Sequence, residues 1–135
     1  MIIRSTKITI NRIRKPKETT INDELQWFFD SLGLLGTRDR NKSCFRMVII
    51  LLKSLRSGEG LTSDEISERV SLSRGTVVHH LHKLMDSGVV ISNRGKYFLR
   101  VDNLSSLIDE LEQDLYKTMT QLRAVAKDID KRLEL

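Results

Sequence analysis

From residue 104 onward, one set of positions in this 135-residue chain recurs at spacings that alternate four and three: Leu104, Ile108, Leu111, Leu115, Thr118, Leu122, Val125 and Ile129. This is the 3.5-residue repeat of a helix that buries one seam against a partner. At ~1.5 Å per residue the helix would extend roughly 45 Å, more than a small domain covers. A second copy of the chain is therefore the expected partner, the alternative being a helix folded back on its own domain. Leu104, Ile108, Leu111, Leu115, Leu122, Val125 and Ile129 are the expected dimerisation contacts, in a coiled-coil helix over residues 102–135.

Ahead of that segment the pattern changes repeatedly. Residues 1–20 form a basic N-terminal arm or strand, in which Lys7, Ile8, Thr9, Ile10 and Asn11 partly alternate as a short strand would and Pro16 ends the run. Residues 21–41 hold a first helix and a connection. Leu25, Phe28, Phe29 and Leu32 fall at i, i+3, i+4 and i+7, with Asn22 as the expected cap and Gly33 as the stop; Thr37, Arg38, Asp39 and Arg40 mark the connection. A core helix follows on Phe45, Val48, Ile49, Leu52 and Leu55, ending near Gly58.

The local chemistry after Gly58 is more specific. Leu61 is a short extended residue, and Thr62 with Glu65 three positions later forms the reciprocal pair that opens a helix. Ile66 and Val70 give that helix a narrow apolar stripe, residues 71–73 interrupt it, and Ser73 caps a new helix carrying Val77, Leu81, Leu84 and Met85 up to Gly88. Residues 89–92 and 97–101 are β-prone and are joined by Asn93, Arg94, Gly95 and Lys96, a tight hairpin turn. The expected fold is mainly α with a small β-hairpin wing: a winged helix-turn-helix over residues 42–101, plus the long C-terminal dimerisation helix.

Two helices joined by a tight turn and followed by a hairpin present one helix to the DNA major groove and the hairpin tip to neighbouring backbone or minor groove. On the helix from Ser73 to Asp86 the core stripe leaves Arg74, Gly75, Val78, His79 and His82 on another face, with Lys83 at its flank. Arg74 is suited to bidentate contact with guanine, Ser73 and Thr76 to phosphate or base acceptors, and Val78 to a thymine methyl. Gly75 removes a Cβ where a helix N-terminus approaches a phosphate. Arg94 and Lys96 stand at the wing tip. The bland alternative is an ordinary solvated surface.

Residues 72–90, reading LSRGTVVHHLHKLMDSGVV, resemble the recognition-helix signature of winged helix-turn-helix transcriptional regulators of the ArsR family. The Leu-Ser, Thr-Val and His-His-Leu pairs and the terminal Gly-hydrophobic pair carry the resemblance, which extends more weakly over residues 45–101. It implies a dimeric transcription regulator, with Arg74, Gly75, Val78 and His79 at groove-facing positions and Arg94 and Lys96 at the wing tip. Gly75 and Val78 stand where serine or another small polar residue is common in the family, so base contacts do not carry over at those two positions.

Charge and composition narrow the function classes. The net charge of +5 is segregated: residues 1–20 carry +5, 21–60 +1, 61–101 +2 and 102–135 −3. A basic body with an acidic final helix fits a polyanion for the body and another task for the end. With 39% hydrophobic and 30% charged residues the chain folds, and its longest apolar run, residues 47–52, is far short of the roughly 20 that span a bilayer. A soluble, cytoplasmic protein without membrane partners is expected. No phosphate-binding glycine loop or nucleophile elbow is present, and His79, His80 and His82 stand beside no obvious nucleophile or third ligand, so neither enzyme chemistry, a metal site nor a cofactor is expected. Cys44 is a redox sensor only if exposed near Lys42 or Arg46, and otherwise a buried thiol. Trp27 reads as a core or interface aromatic ahead of an effector-pocket wall, and the sequence names no small-molecule effector. The basic arm, Arg4, Lys7, Arg12, Arg14, Lys15 and Lys17, either follows a minor groove or pairs as a strand.

The leading expectation is a homodimeric, sequence-specific reader of double-stranded DNA that regulates transcription. Its rivals are a winged-helix protein-interaction module of the transcription or replication machinery and a nonspecific, chromatin-like DNA coat.

Overall fold

The computed structural model describes residues 7–17, 20–35 and 42–135. In order, the elements are α1 (Ile21–Ser31), α2 (Ser43–Ser54), α3 (Ser63–Val70), α4 (Arg74–Asp86), β1 (Val90–Asn93), β2 (Lys96–Leu99) and α5 (Leu104–Leu133). They fall into two compact units, Met1–Asp102 and Asn103–Leu135. Arg4 and the expected connection through Thr37, Arg38, Asp39 and Arg40 lie outside the described residues.

In the first unit, α2 packs on α3, α3 on α4, α4 on β1 and α2 on β2. Phe29 from α1, Met47, Val48 and Leu51 from α2, Ile66 from α3, and Val77, Leu81 and Leu84 from α4 are each fully buried. Burying each such side chain stabilises the fold by about 1.5–3 kcal/mol before ordering costs. On α2 the buried stripe runs through Met47 and Leu51, not through the expected Ile49, Leu52 and Leu55, which are half-buried, as are Leu25 and Phe28 of α1 and Leu32 at its end. Phe28 meets Phe29 edge to face at 5.1 Å. Cys44, the lone cysteine, is 1% exposed and its Sγ lies 3.4 Å from the Leu34 carbonyl oxygen. It therefore lacks the exposure that the redox-sensor reading requires.

The helix boundaries follow from capping, with one correction. Thr20, not Asn22, caps α1: its Oγ1 accepts the Asp23 amide at 3.1 Å from an extended backbone. A capping oxygen must reach the amide two or three residues on; Asn22 already lies within the helix. At the other end, the Gly33 amide donates to Asp30 O (2.9 Å) and the Leu34 amide to Phe29 O (3.1 Å), the two bonds of a glycine-terminated helix stop. Gly33 serves twice, because its φ of +71° closes the helix and a Cβ there would stand 2.6 Å from Thr9 Cγ2.

That contact belongs to a second correction. Residues 7–11 form no strand; the chain from 7 to 17 is irregular. Its donors find helix-terminal carbonyls instead of a ladder: the Lys7 amide donates to Asp86 O (2.9 Å) and the Asn11 amide to Ser31 O (2.7 Å), while Asn11 Nδ2 donates to Asp30 O (3.1 Å). The last turn of a helix offers unpaired carbonyls, so this arm satisfies α1 and α4 as it passes. Trp27 is half-buried and its Nε1 donates to Ile13 O at 3.0 Å, holding the arm further along α1.

The second unit is a 30-residue helix, capped where Asn103 Oδ1 accepts the Ser106 amide at 2.8 Å. From Tyr116 to its end every residue is exposed. No helix among the described residues is long and apolar enough to cross a membrane.

Candidate nucleic-acid interface

The interface begins with how α3 hands the chain to α4. Thr62 Oγ1 accepts the Glu65 amide (3.1 Å) while Glu65 Oε1 accepts the Thr62 amide (3.2 Å), closing the expected capping box. The Thr62 amide, then its hydroxyl, holds the Glu65 carboxyl below its ordinary range, and Lys96 and Arg69 add Coulombic attraction. At the far end Ser71 takes a left-handed conformation (φ +55°), and Ser67 Oγ donates to Leu72 O. Arg46 Nη1 reaches from α2 to donate to Val70 O at 3.0 Å, placing a cation where the helix dipole is negative.

Ser73 then caps α4 by accepting the Thr76 amide at 3.2 Å, and its Oγ sits 2.8 Å from Thr76 Oγ1. The two hydroxyls thus form one exposed pair at the start of the helix. Val77, Leu81 and Leu84 point into the core, leaving Arg74, Gly75, His79, His82 and Lys83 exposed and Thr76 and Val78 half-buried on the surface. Open space surrounds Gly75: a Cβ there would meet nothing within 4 Å. His79 lies beside His80, ring centroids 5.8 Å apart, with His80 half-buried. Among the described residues no group of three or more His, Cys, Asp or Glu side chains is placed to hold a metal ion.

The wing is an antiparallel hairpin with Val90 opposite Leu99 and Asn93 opposite Lys96. Arg94 (φ +52°) and Gly95 (φ +77°) both take positive φ, the backbone of a two-residue turn whose twist suits the flanking strands. Arg94 and Lys96 are exposed at its tip. Leu61 exchanges both backbone bonds with Tyr97 (3.1 and 2.7 Å), so the extended residue ahead of α3 fixes the wing against the helix pair.

Two placements escape a reading of the sequence. Asp64, in the first turn of α3, stands 3.7 Å from Arg74 Nε, with both side chains about three-quarters exposed. Lys7 is brought to the end of α4 by its backbone bond to Asp86. Neither has a local signal, because each pairing is made by tertiary packing. Of the expected seam residues, Leu111 is buried, Leu104 and Leu115 are half-buried, and Ile108, Leu122, Val125 and Ile129 are exposed. Met119 and Leu133 are exposed too, and with Leu115, Leu122, Ala126 and Ile129 they make a second four-and-three series that skips the polar Thr118.

Two helices joined by a tight turn, an exposed cationic face on the second, and a hairpin tipped by Arg94 and Lys96 define a winged helix-turn-helix domain. Residues 48–92, from within α2 to within β1, match the family model described as bacterial regulatory protein, arsR family. The match covers a third of the chain and identifies its helix-turn-helix as ArsR-like, the DNA-binding domain of a transcription regulator. No curated protein and no solved structure matches the chain.

Proposed function

We propose that the protein is a homodimeric regulator that reads double-stranded DNA in a sequence-specific way. Each chain lays α4 in the major groove and the 93–96 turn on the adjacent backbone or minor groove. The observation that carries this reading is the composition of the outward face of α4 and the wing tip: Arg74, His79, His82, Lys83, Arg94 and Lys96 are all exposed there. The centre of a protein-binding surface would instead be depleted of lysine and rich in aromatic side chains. Arg74 supplies base readout, the hydroxyls of Ser73 and Thr76 contact base or phosphate, Val78 meets a methyl group, and Arg94 and Lys96 hold the backbone.

The dimer is supported by α5. Its exposed apolar series Met119, Leu122, Ala126, Ile129 and Leu133 has the alternating three-and-four periodicity of paired helices, and a two-fold pair sets two copies of α4 on half-sites about one DNA turn apart, ~34 Å.

The test is a selection of bound fragments from random duplex DNA at two salt concentrations, followed by two variants. Arg74→Ala is expected to cost about 1–3 kcal/mol of specific binding and to relax one base position, whereas Lys96→Ala lowers affinity across all sequences and flattens the salt dependence. No enriched sequence at either salt, with both variants binding as the parent does, refutes the reading.

A further inference from the structure

The arm and the recognition helix enclose a recess of about 470 Å³ in which Lys7 and Thr9 of the arm, outside both the family match and the groove-reading face, stand opposite His79, His82 and Lys83. One wall is a single face of α4, on which His79, His82, Lys83 and Asp86 follow at i, i+3, i+4 and i+7. The facing wall is the arm, through Lys7 and Thr9, and the floor is the turn at residues 32–34 that ends α1. The recess is a built feature. The Lys7 amide is bonded to Asp86 O, Thr9 seats against Gly33, and the Asn11 amide is bonded to Ser31 O, so the arm cannot slide without breaking these contacts.

The geometry points to this recess as a seat for a phosphate group, supplied by the backbone of bound DNA, with Lys7 and Lys83 as its two cationic arms and His79 and His82 as donors between them. The inference rests on the DNA-binding reading and extends it to the arm. Two lysines face one carboxylate, Asp86, so the recess carries a net positive charge from these groups alone. His79 also belongs to the face that meets DNA, so a strand leaving the groove along α4 passes the recess mouth. Phosphate contacts of this kind fix register without reading bases.

The side chain of Lys7 is exposed and its structural bond uses the backbone amide, so Lys7→Ala keeps the fold while removing the charge. Binding of a fluorescent duplex is measured across a salt series for the parent, Lys7→Ala, Lys7→Arg and Lys53→Ala, the last removing an exposed lysine of α2 as a charge control. Each lost phosphate contact lowers the slope of log K against log salt by about 0.9, which near 0.1 M salt is roughly an eightfold loss of affinity. That loss is expected for Lys7→Ala on every sequence, with Lys7→Arg close to the parent and Lys53→Ala unchanged. A parental slope in Lys7→Ala, or an equal drop in Lys53→Ala, overturns the proposal.

A second measurement separates it from the underlying reading. Inorganic phosphate is titrated into ¹⁵N-labelled protein and the amides of residues 33, 83 and 86 are followed. Shifts confined to them and lost in Lys7→Ala support the seat; their absence overturns it. If the parent binds no duplex at all, the DNA reading falls, and such shifts would reassign the seat to a small phosphorylated molecule.

Discussion

Gly33→Ala tests whether the arm is truly seated on the end of α1. The substitution does two separable things. An L-residue at φ +71° costs about 1–2 kcal/mol for its backbone alone. The new methyl would also stand 2.6 Å from Thr9 Cγ2 and 2.8 Å from Thr9 Cβ, distances at which either the arm or the end of α1 must shift. Overpacking of that kind typically costs about 1–3 kcal/mol, so the whole effect should be about 2–5 kcal/mol. Gly95→Ala isolates the first part, since Gly95 has φ +77° and open space around it. Thr9→Gly removes both clashing atoms, and in that background Gly33→Ala should fall back to about 1–2 kcal/mol. Urea titration followed by the fluorescence of Trp27, the lone tryptophan, reads the parent and all four variants, and because its Nε1 is bonded to Ile13 O the same signal reports release of the arm. Equal costs at Gly33 and Gly95, or a Gly33→Ala cost that Thr9→Gly leaves unchanged, would show that the arm does not rest there.

Two further outcomes follow from side chains already placed. Because the folded state holds Glu65 below its ordinary 4.5, the capping box contributes stability above that pH and loses it as pH falls through the depressed folded value. Thermal melts should therefore show the parent more stable than Glu65→Ala near pH 7 and the gap narrowing as the pH falls below 4.5; a gap that stays constant on acidification until the protein unfolds contradicts the assignment. In α5, Leu122 and Ile129 are 58% and 46% exposed, so replacing both with lysine should leave each chain folded while the mass by light scattering falls from that of the proposed dimer to that of a monomer. An unchanged mass would remove α5 from the pairing surface.

The legible parts of this fold are those whose chemistry is local. Thr62 with Glu65, Ser73 at the start of α4 and the Asn93–Lys96 turn each occupy a few consecutive residues, and each forms as read. So does the face of α4, because three buried positions at helical spacing leave little freedom for the rest. Misreadings arise where the partner is remote or two candidates compete. Thr20 and Asn22 are both good capping residues, and only the placement of the Asp23 amide decides between them. Residues 7–11 alternate as a strand would, yet their amides find helix ends, one of them 79 positions away at Asp86. No pattern in the sequence encodes that pairing, nor the approach of Asp64 to Arg74 across the turn.

The burial of Cys44 has a practical corollary. As the lone thiol in the chain, at 1% exposure, it gives native molecules no sulfur with which to join one another. A disulfide between two folded copies of this chain is consequently barred, and a band of doubled mass on a nonreducing gel counts molecules that opened before they were oxidised.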